Sequence, residues 1–354
     1  MSLFTVIDSL VEERGLDKSV LTNIVCEGML SAYKKKYPEL ELRVVYDEAL
    51  EKLVLEVEKD VVESVEMEDS QISLRKAKGI SKDLELGSKV WVQFEKGEKE
   101  IGRIEILRAK QFIASSIRDI EAAAICEEFK DKEGTVLQGI IHKCERNGVV
   151  VKIQDYLAFL PKSLSIPGEK CNVGFPIRAL LKEVLDVPRN ENQLILDRSS
   201  EEFVAQLFEL EVPEVFEKLV DIKKIVRIAG YKSKVAVVSH DSNIDPVGTC
   251  VGVGGVRIKP ILKELGTEKI DIIAWTQSDE SFVRDALKPA EINRVELSDD
   301  KRSARVWLDE DQRSLAIGKM GQNIALASRL TGIHIELVQA EHRDDLDQKL
   351  SDEF

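Results

Sequence analysis

Apolar residues at the start of the chain recur at helical spacing, first at Phe4, Ile7, Leu10 and Val11, then from Val20 through Leu21, Ile24, Val25, Met29 and Leu30 to Tyr33, ahead of Lys34-Lys35-Lys36. The pattern then turns to alternation, and strands are predicted over Leu40 to Tyr46, over Leu53 to Val57 and over Val90 to Phe94, the last bounded by Gly87-Ser88 and Gly97. Ile106, Ile113, Ile117, Ile120 and Ala124 mark one long amphipathic helix reaching Phe129. From Gly134 the texture is short and β-rich. Val136 to His142 and Val149 to Ile153 flank Asn147-Gly148, a hairpin signal, and further strands are predicted over Ala158 to Leu160, Gly174 to Leu181 and Gln193 to Asp197. Five strands in so short a segment fit a small OB-type barrel. Glu201 to Leu219 reads as a helical connector broken at Val212-Pro213.

The remainder is a duplication. At an offset of 66 residues Gly252 meets Gly318, Gly255 meets Gly321 and Gly266 meets Gly332, while Val251 falls on Ile317 and Ile258 on Ile324. Each copy reads as helix, two strands, a helix pair and a final strand. In the first the strands are Ile222 to Ile228, Lys234 to Ser239 and Lys269 to Trp275; in the second a helix runs from Gln277 to Leu287, followed by strands around Val295, over Ser303 to Leu308 and over Ile333 to Val338. The helix pair of each copy is joined by Gly-x-x-Gly: Gly252-Val253-Gly254-Gly255, then Gly318-Lys319-Met320-Gly321. A bend without Cβ atoms lets backbone lie close to a large partner, and a sugar-phosphate strand held by backbone N–H groups, a helix N-terminus and nearby cations is such a partner. A dinucleotide fingerprint begun at Gly252-x-Gly254 fails, because Arg257 stands where the third glycine is due.

The candidate RNA contacts are therefore Gly252, Val253, Gly254, Gly255, Arg257 and Lys259 in the first copy and Gly318, Lys319, Met320, Gly321, Gln322 and Asn323 in the second. The amides of Gln322 and Asn323 suit a base edge or the sugar-phosphate chain, or else cap the helix they begin. In the barrel segment Lys143, Arg146 and Lys152 are placed to meet phosphates or to be solvated charge, and Tyr156 and Phe159 are the candidate stacking rings.

The phrases DPVGTCVG, EKIDIIAW and AIGKMGQNIALASRLTG resemble the paired KH domains of the NusA family of bacterial transcription elongation and termination factors, and the likeness extends more loosely along the whole chain. The resemblance implies a multidomain α+β protein: an N-terminal α/β domain over 1–131 that docks on RNA polymerase, an S1 OB-type barrel over 132–200, two tandem type II KH domains over 201–276 and 277–344, and an acidic tail over 345–354. It also implies association with nascent single-stranded RNA and with other elongation and antitermination factors, modulation of pausing, termination and antitermination, and no enzymatic activity. This sequence departs from the family pattern at Val253 and Gly254, which lack a basic side chain, at Ala325, and at Asn147 and Val150, where S1 domains carry aromatics. An adaptor built on the same modules for translation or RNA decay is the alternative. A phosphorolytic nuclease would need a carboxylate core ahead of its KH and S1 domains, normally in the opposite order, and neither a P-loop nor a Ser/His/Asp arrangement is visible.

Charge changes this picture only in its distribution. The net charge of −14 divides as −8 over 1–131, +2 over 132–200, −2 over 201–276 and −6 over 277–354, so acidity lies at the two ends and modest, salt-sensitive RNA affinity is expected. The opening MSLFTVIDSLVEERG has acidic residues where a signal peptide is basic, and no apolar run approaches the roughly 20 residues of a membrane span, so a soluble, cytoplasmic monomer is expected. Cys26, Cys126, Cys144, Cys171 and Cys250 are scattered and form no C-x-x-C; five buried reduced thiols are expected, with no metal and no cofactor.

Overall fold

The computed structural model describes residues 17–47, 52–81, 83–95, 103–189 and 192–339; the first predicted helix and the acidic tail lie outside them. The chain forms two compact units that part between Ile125 and Cys126. Among the described residues no helix is long and apolar enough to cross a membrane.

In the first unit, α1 (Lys18–Lys36) is capped by Asp17, whose carboxylate accepts from Ser19 N at 2.7 Å, and its last turn carries three lysines that complement the helix dipole. Strand β2 (Lys52–Val62) pairs antiparallel with β1 (Leu42–Asp47) and β4 (Lys89–Gln93), and parallel with the short β3 (Gln71–Ser73), which leads directly into α2 (Leu74–Ile80). Tyr33 of α1 packs with Leu42, Leu55, Val57 and Phe94 to form its core. The long helix α3 (Arg103–Phe129) crosses α1 at Gly28, where a Cβ would stand 2.7 Å from Ile113 Cγ1, so the absent side chain sets how closely the helices approach.

The second unit begins with a closed barrel, in the order β5 (Val136–Glu145), β6 (Gly148–Ile153), β7 (Tyr156–Pro161), β9 (Asn192–Asp197) and β8 (Pro176–Arg189). Strands β7 and β9 run parallel, and the other neighbours are antiparallel. Alternation fills the interior with Ile141, Val151, Leu160, Ala179, Leu181 and Leu194, and Gly139 faces inward because a Cβ there would meet Val151 Cγ1 at 2.5 Å. Tyr156 does not offer a free ring: it stands edge-on to Phe129 at 5.3 Å between centroids, and its hydroxyl is bonded to Glu128.

Cys144 and Cys171 form a disulfide, which corrects the expectation of five reduced thiols. The sequence hid this pair because the partners lie 27 residues apart and meet only when the β7–β8 loop folds back on the end of β5. Cys250 is buried, and burial pushes its thiol up to about 11, in keeping with an inert core residue. Cys144→Ser is expected to lower barrel stability by about 3 kcal/mol under oxidising conditions. The same comparison in excess dithiothreitol should show no difference, as read by thermal melts of both proteins.

The barrel runs into two α+β domains of one topology. The first comprises α4 (Glu201–Glu211), α5 (Pro213–Phe216), β10 (Val220–Ile228), β11 (Lys232–Ser239), α6 (Pro246–Val251), α7 (Ile258–Leu265) and β12 (Lys269–Ala274). The second comprises α8 (Asp279–Ala286), β13 (Arg294–Leu297), β14 (Ser303–Leu308), α9 (Glu310–Ile317), α10 (Gln322–Thr331) and β15 (His334–Gln339). In each sheet the first two strands are antiparallel and the last joins the middle one in parallel, Lys232 opposite Lys269 in one and Ser303 opposite His334 in the other. Val226, Ala236 and Ile273 of the first domain share one buried cluster with Phe282, Val283, Leu326 and Leu330 of the second, so the pair has a common core.

Charged side chains tie the barrel into this frame. Arg198, just past β9, is 1% exposed and donates to Glu169 and to Glu264 Oε1 at 2.6 Å. Arg227 of β10 makes a bidentate pair with Glu268 at 2.9 Å on both arms, and its other amino group donates to the carbonyls of Arg198 and Ser200. Both guanidinium groups lie over the ring of Phe203, at 5.2 and 5.9 Å from its centroid. From the second α+β domain, Arg329 reaches Glu201 at 3.0 Å.

Candidate nucleic-acid interface

The two Gly-x-x-Gly bends have one backbone geometry. Gly252 and Gly318 end their helices with φ of 74° and 70° and extended ψ of 162° and −179°. The third positions, Gly254 and Met320, are left-handed with φ of 63° and 54°, and the fourth, Gly255 and Gly321, have φ of 77° and 74°. The second positions, Val253 and Lys319, are exposed, and so is Met320. Val253 is 95% and Met320 87% exposed, so neither bend is occupied by packing and both are open to a strand. Each is followed by a helix whose first-turn N–H groups have no intrahelical acceptor, which favours an anion.

The two glycines of the second bend differ in what requires them. At Gly318 a Cβ would stand 2.6 Å from Asn323 Cβ and 3.1 Å from Asn323 N, so a side chain is excluded by backbone as well as by φ. At Gly321 a Cβ meets nothing within 4 Å, and only the left-handed φ opposes it. Gly321→Ala is thus expected to cost about 1–2 kcal/mol. Gly318→Ala should cost more than that and should also weaken RNA binding, a ranking checked by urea melts beside titration with single-stranded RNA.

Arg257 and Asn323, both expected to meet RNA, turn inward. They stand at equivalent positions of the repeat and do the same work: Arg257 Nη1 donates to Thr249 O at 2.8 Å, and Asn323 Nδ2 donates to Leu315 O at 3.3 Å. Each reaches back across its bend to a carbonyl near the end of the preceding helix. Arg257 is further held by Glu214 at 2.8–2.9 Å. Asn323 is buried; its amide also donates to Leu287 O and Ala316 O, and its Oδ1 accepts from Lys232 Nζ at 3.2 Å. Both brace their bends; Asn323 is closed to a ligand as well, because every polar atom of its amide is engaged inside the protein, whereas Arg257 remains part exposed. Lys232 shares Asp271 with Lys234, a buried lysine whose ammonium is pushed down by burial against the pull of that carboxylate.

Among the described residues, what remains at each bend is one exposed cation, Lys259 after the first and Lys319 within the second; Gln322 is half-buried at the start of α10. In the barrel, Lys143 is exposed but pairs with Glu145 at 2.8 Å, which holds its ammonium above the usual lysine range. Lys152 lies 3.6 Å from Asp155. Arg146 is exposed at the hairpin turn, and Phe159 is half-buried. The repeat itself carried a signal for the braces, since two polar residues at one repeat position, each following a four-residue bend, share a local task. Their different chemistry concealed it.

Models of known families match three stretches: the NusA N-terminal domain over residues 2–123, the NusA-like first KH domain over 198–275 and the NusA-like second KH domain over 279–345. The transcription termination/antitermination protein NusA of Thermus thermophilus is 37% identical over 352 residues, covering 96% of this chain and 89% of that one. The protein of the same name from Halalkalibacterium halodurans is 32% identical, with 96% and 88% covered. The solution structure of the N-terminal domain of NusA from B. subtilis is 27% identical and covers 34% of this chain and 98% of its own, at a TM-score of 0.27. With two relatives above 30% identity along nearly its full length, and with two KH domains joined by one core, this chain belongs to the NusA family.

Proposed function

We propose that this protein is an RNA-binding transcription factor that associates with RNA polymerase and nascent RNA and modulates pausing, termination and antitermination. The observation that carries the reading is the pair of exposed Gly-x-x-Gly bends, alike in backbone at their first, third and fourth positions and set on two domains with a shared core. Gly252, Val253, Gly254 and Gly255 with Lys259, and Gly318, Lys319, Met320 and Gly321 with Gln322, hold the sugar-phosphate chain, chiefly through backbone N–H groups. With so few exposed cations at the bends among the described residues, phosphate neutralisation is modest and binding is sensitive to salt. The N-terminal domain docks on polymerase, the barrel acts as an S1 domain beside the KH pair, and the protein works in the cytoplasm as a monomer alongside other elongation factors. A strand held near the exit channel changes how readily a pause hairpin forms behind the polymerase.

The test is co-purification from cells combined with a single-round transcription assay. Polymerase should be recovered with the full chain and with residues 1–131 alone, and the full chain should alter dwell times at a hairpin pause. Recovery of ribosomes in place of polymerase would move the protein to an adaptor role in translation. Recovery of polymerase by residues 132–354 alone would overturn the docking assignment.

A further inference from the structure

A cleft of about 440 Å³ opens at one end of the barrel, between the β5–β6 hairpin turn and the loop from β7 to β8. Its floor is apolar, formed by Ile141, Leu160, Ile166 and Ile177. Three exposed cations stand on its rim: Arg146, Lys162 and Lys170. Two links bring them together. Lys162 N donates to Asn147 O at 2.9 Å, which sets the start of the loop against the hairpin turn that carries Arg146. The Cys144–Cys171 disulfide, with Cα atoms 6.1 Å apart, pins the far part of the loop to β5, and its members are sequence neighbours of the rim: Cys171 follows Lys170, and Cys144 stands two residues before Arg146.

The charges of the lining do not cancel. Glu145 and Glu169 also border the cleft; the first is paired with Lys143, the second shares the buried Arg198 with Glu264, and three cations stand against these two carboxylates. Among the described residues no carboxylate is ion-paired with Arg146, Lys162 or Lys170. An apolar floor bordered by three unpaired cations suits a ligand with a flat apolar body and an anionic end. A nucleotide has that form, with a base for the floor and a phosphate for the rim, and the volume is of the size such ligands occupy.

We propose that this barrel-end cleft is a nucleotide-binding site, distinct from the two Gly-x-x-Gly bends, in which Arg146, Lys162 and Lys170 take the phosphate and the apolar floor takes the base. The nucleotide comes either from the RNA strand or from a free nucleoside phosphate. The proposal deepens the RNA-binding reading of the barrel, but it moves the contact from the strand face carrying Lys143 to the cleft.

The test uses the oxidised full chain at low salt with two probes, ADP by equilibrium dialysis and a 4-thiouridine oligonucleotide by photocrosslinking and peptide mapping. Both are repeated in a background with Asp at Val253, Gly254, Lys319 and Met320, so that failure of the bends and failure of the cleft are read separately. ADP should bind equally with and without the Asp substitutions, and the triple variant R146A/K162A/K170A should bind it about tenfold more weakly. K182A, an exposed barrel lysine away from the cleft, should leave ADP binding unchanged. Crosslinks to residues 162–171 that disappear in the triple variant, without ADP binding, would support the site and identify the strand as its source. Undiminished ADP binding by the triple variant, or neither ADP binding nor a crosslink in the unmodified chain, would overturn it. Unchanged melting of the triple variant confirms that the barrel remains folded.

Discussion

Asp in place of Lys319 and Met320 is expected to weaken binding of single-stranded RNA by about a hundredfold at low salt, and Asp in place of Val253 and Gly254 by about tenfold. The difference follows from what each bend gives up. Lys319 is the single exposed cation within the second bend, so its replacement removes an attraction and adds two repulsions; the first bend holds no charge at these positions, and its cation, Lys259, is retained. Lys319, Met320 and Val253 project into solvent, and the left-handed φ of Gly254, which the equivalent Met320 already adopts, should cost the Asp variant about 1 kcal/mol, so the fold should tolerate both pairs of changes. A salt titration separates the two further. The slope of log affinity against log salt should fall by roughly 0.7 for each phosphate that is no longer neutralised, and the fall should be larger for the second bend. Equal affinities for both variants and the unmodified chain at low salt would rule out the bends as the place where RNA is held.

Glu268→Ala is expected to destabilise the second unit by about 3–5 kcal/mol, the largest stability effect foreseen for a single substitution here. Glu268 and Arg227 have side chains 0% and 1% exposed, and the carboxylate also accepts from Gly230 N at 3.0 Å and Ser233 Oγ at 2.6 Å. Its removal strands a guanidinium, a hydroxyl and an amide where water does not reach. The paired replacement Arg227→Leu with Glu268→Leu removes both charges and should recover much of the loss, because the cost lies mainly in the unpaired ion. Chemical denaturation of the three proteins checks this, and a double variant no more stable than Glu268→Ala would contradict it.

The architecture of the second unit was readable in the chain because two kinds of period coincide there. Alternation placed each barrel strand, and the 66-residue step placed each bend, the two helices it joins and the final strand of the KH domains twice. β3 and α2 were not read, since three residues are too few to show alternation and the helix after them is only seven long. The bends themselves were found from their glycines. The inward turn of Arg257 and Asn323 was not, because a polar side chain that braces a helix end and one that reaches solvent are the same letters, and only the acceptors at Thr249 and Leu315 distinguish them. The pairing of Cys144 with Cys171 was hidden for a similar reason: it depends on where a loop returns, which no local pattern states.

Because Arg198, Phe203, Arg227 and Arg329 weld the barrel and both KH domains into one frame, the separation of the two bends is a constant of the molecule. The pair of clamps proposed above would therefore act as a ruler. Oligonucleotides too short to span the gap engage one jaw, and affinity should climb in a single step at the length that first reaches both, with little gained from further nucleotides. On that proposal a nascent transcript folded between those two points would offer no straight run to measure and would have to open before being gripped.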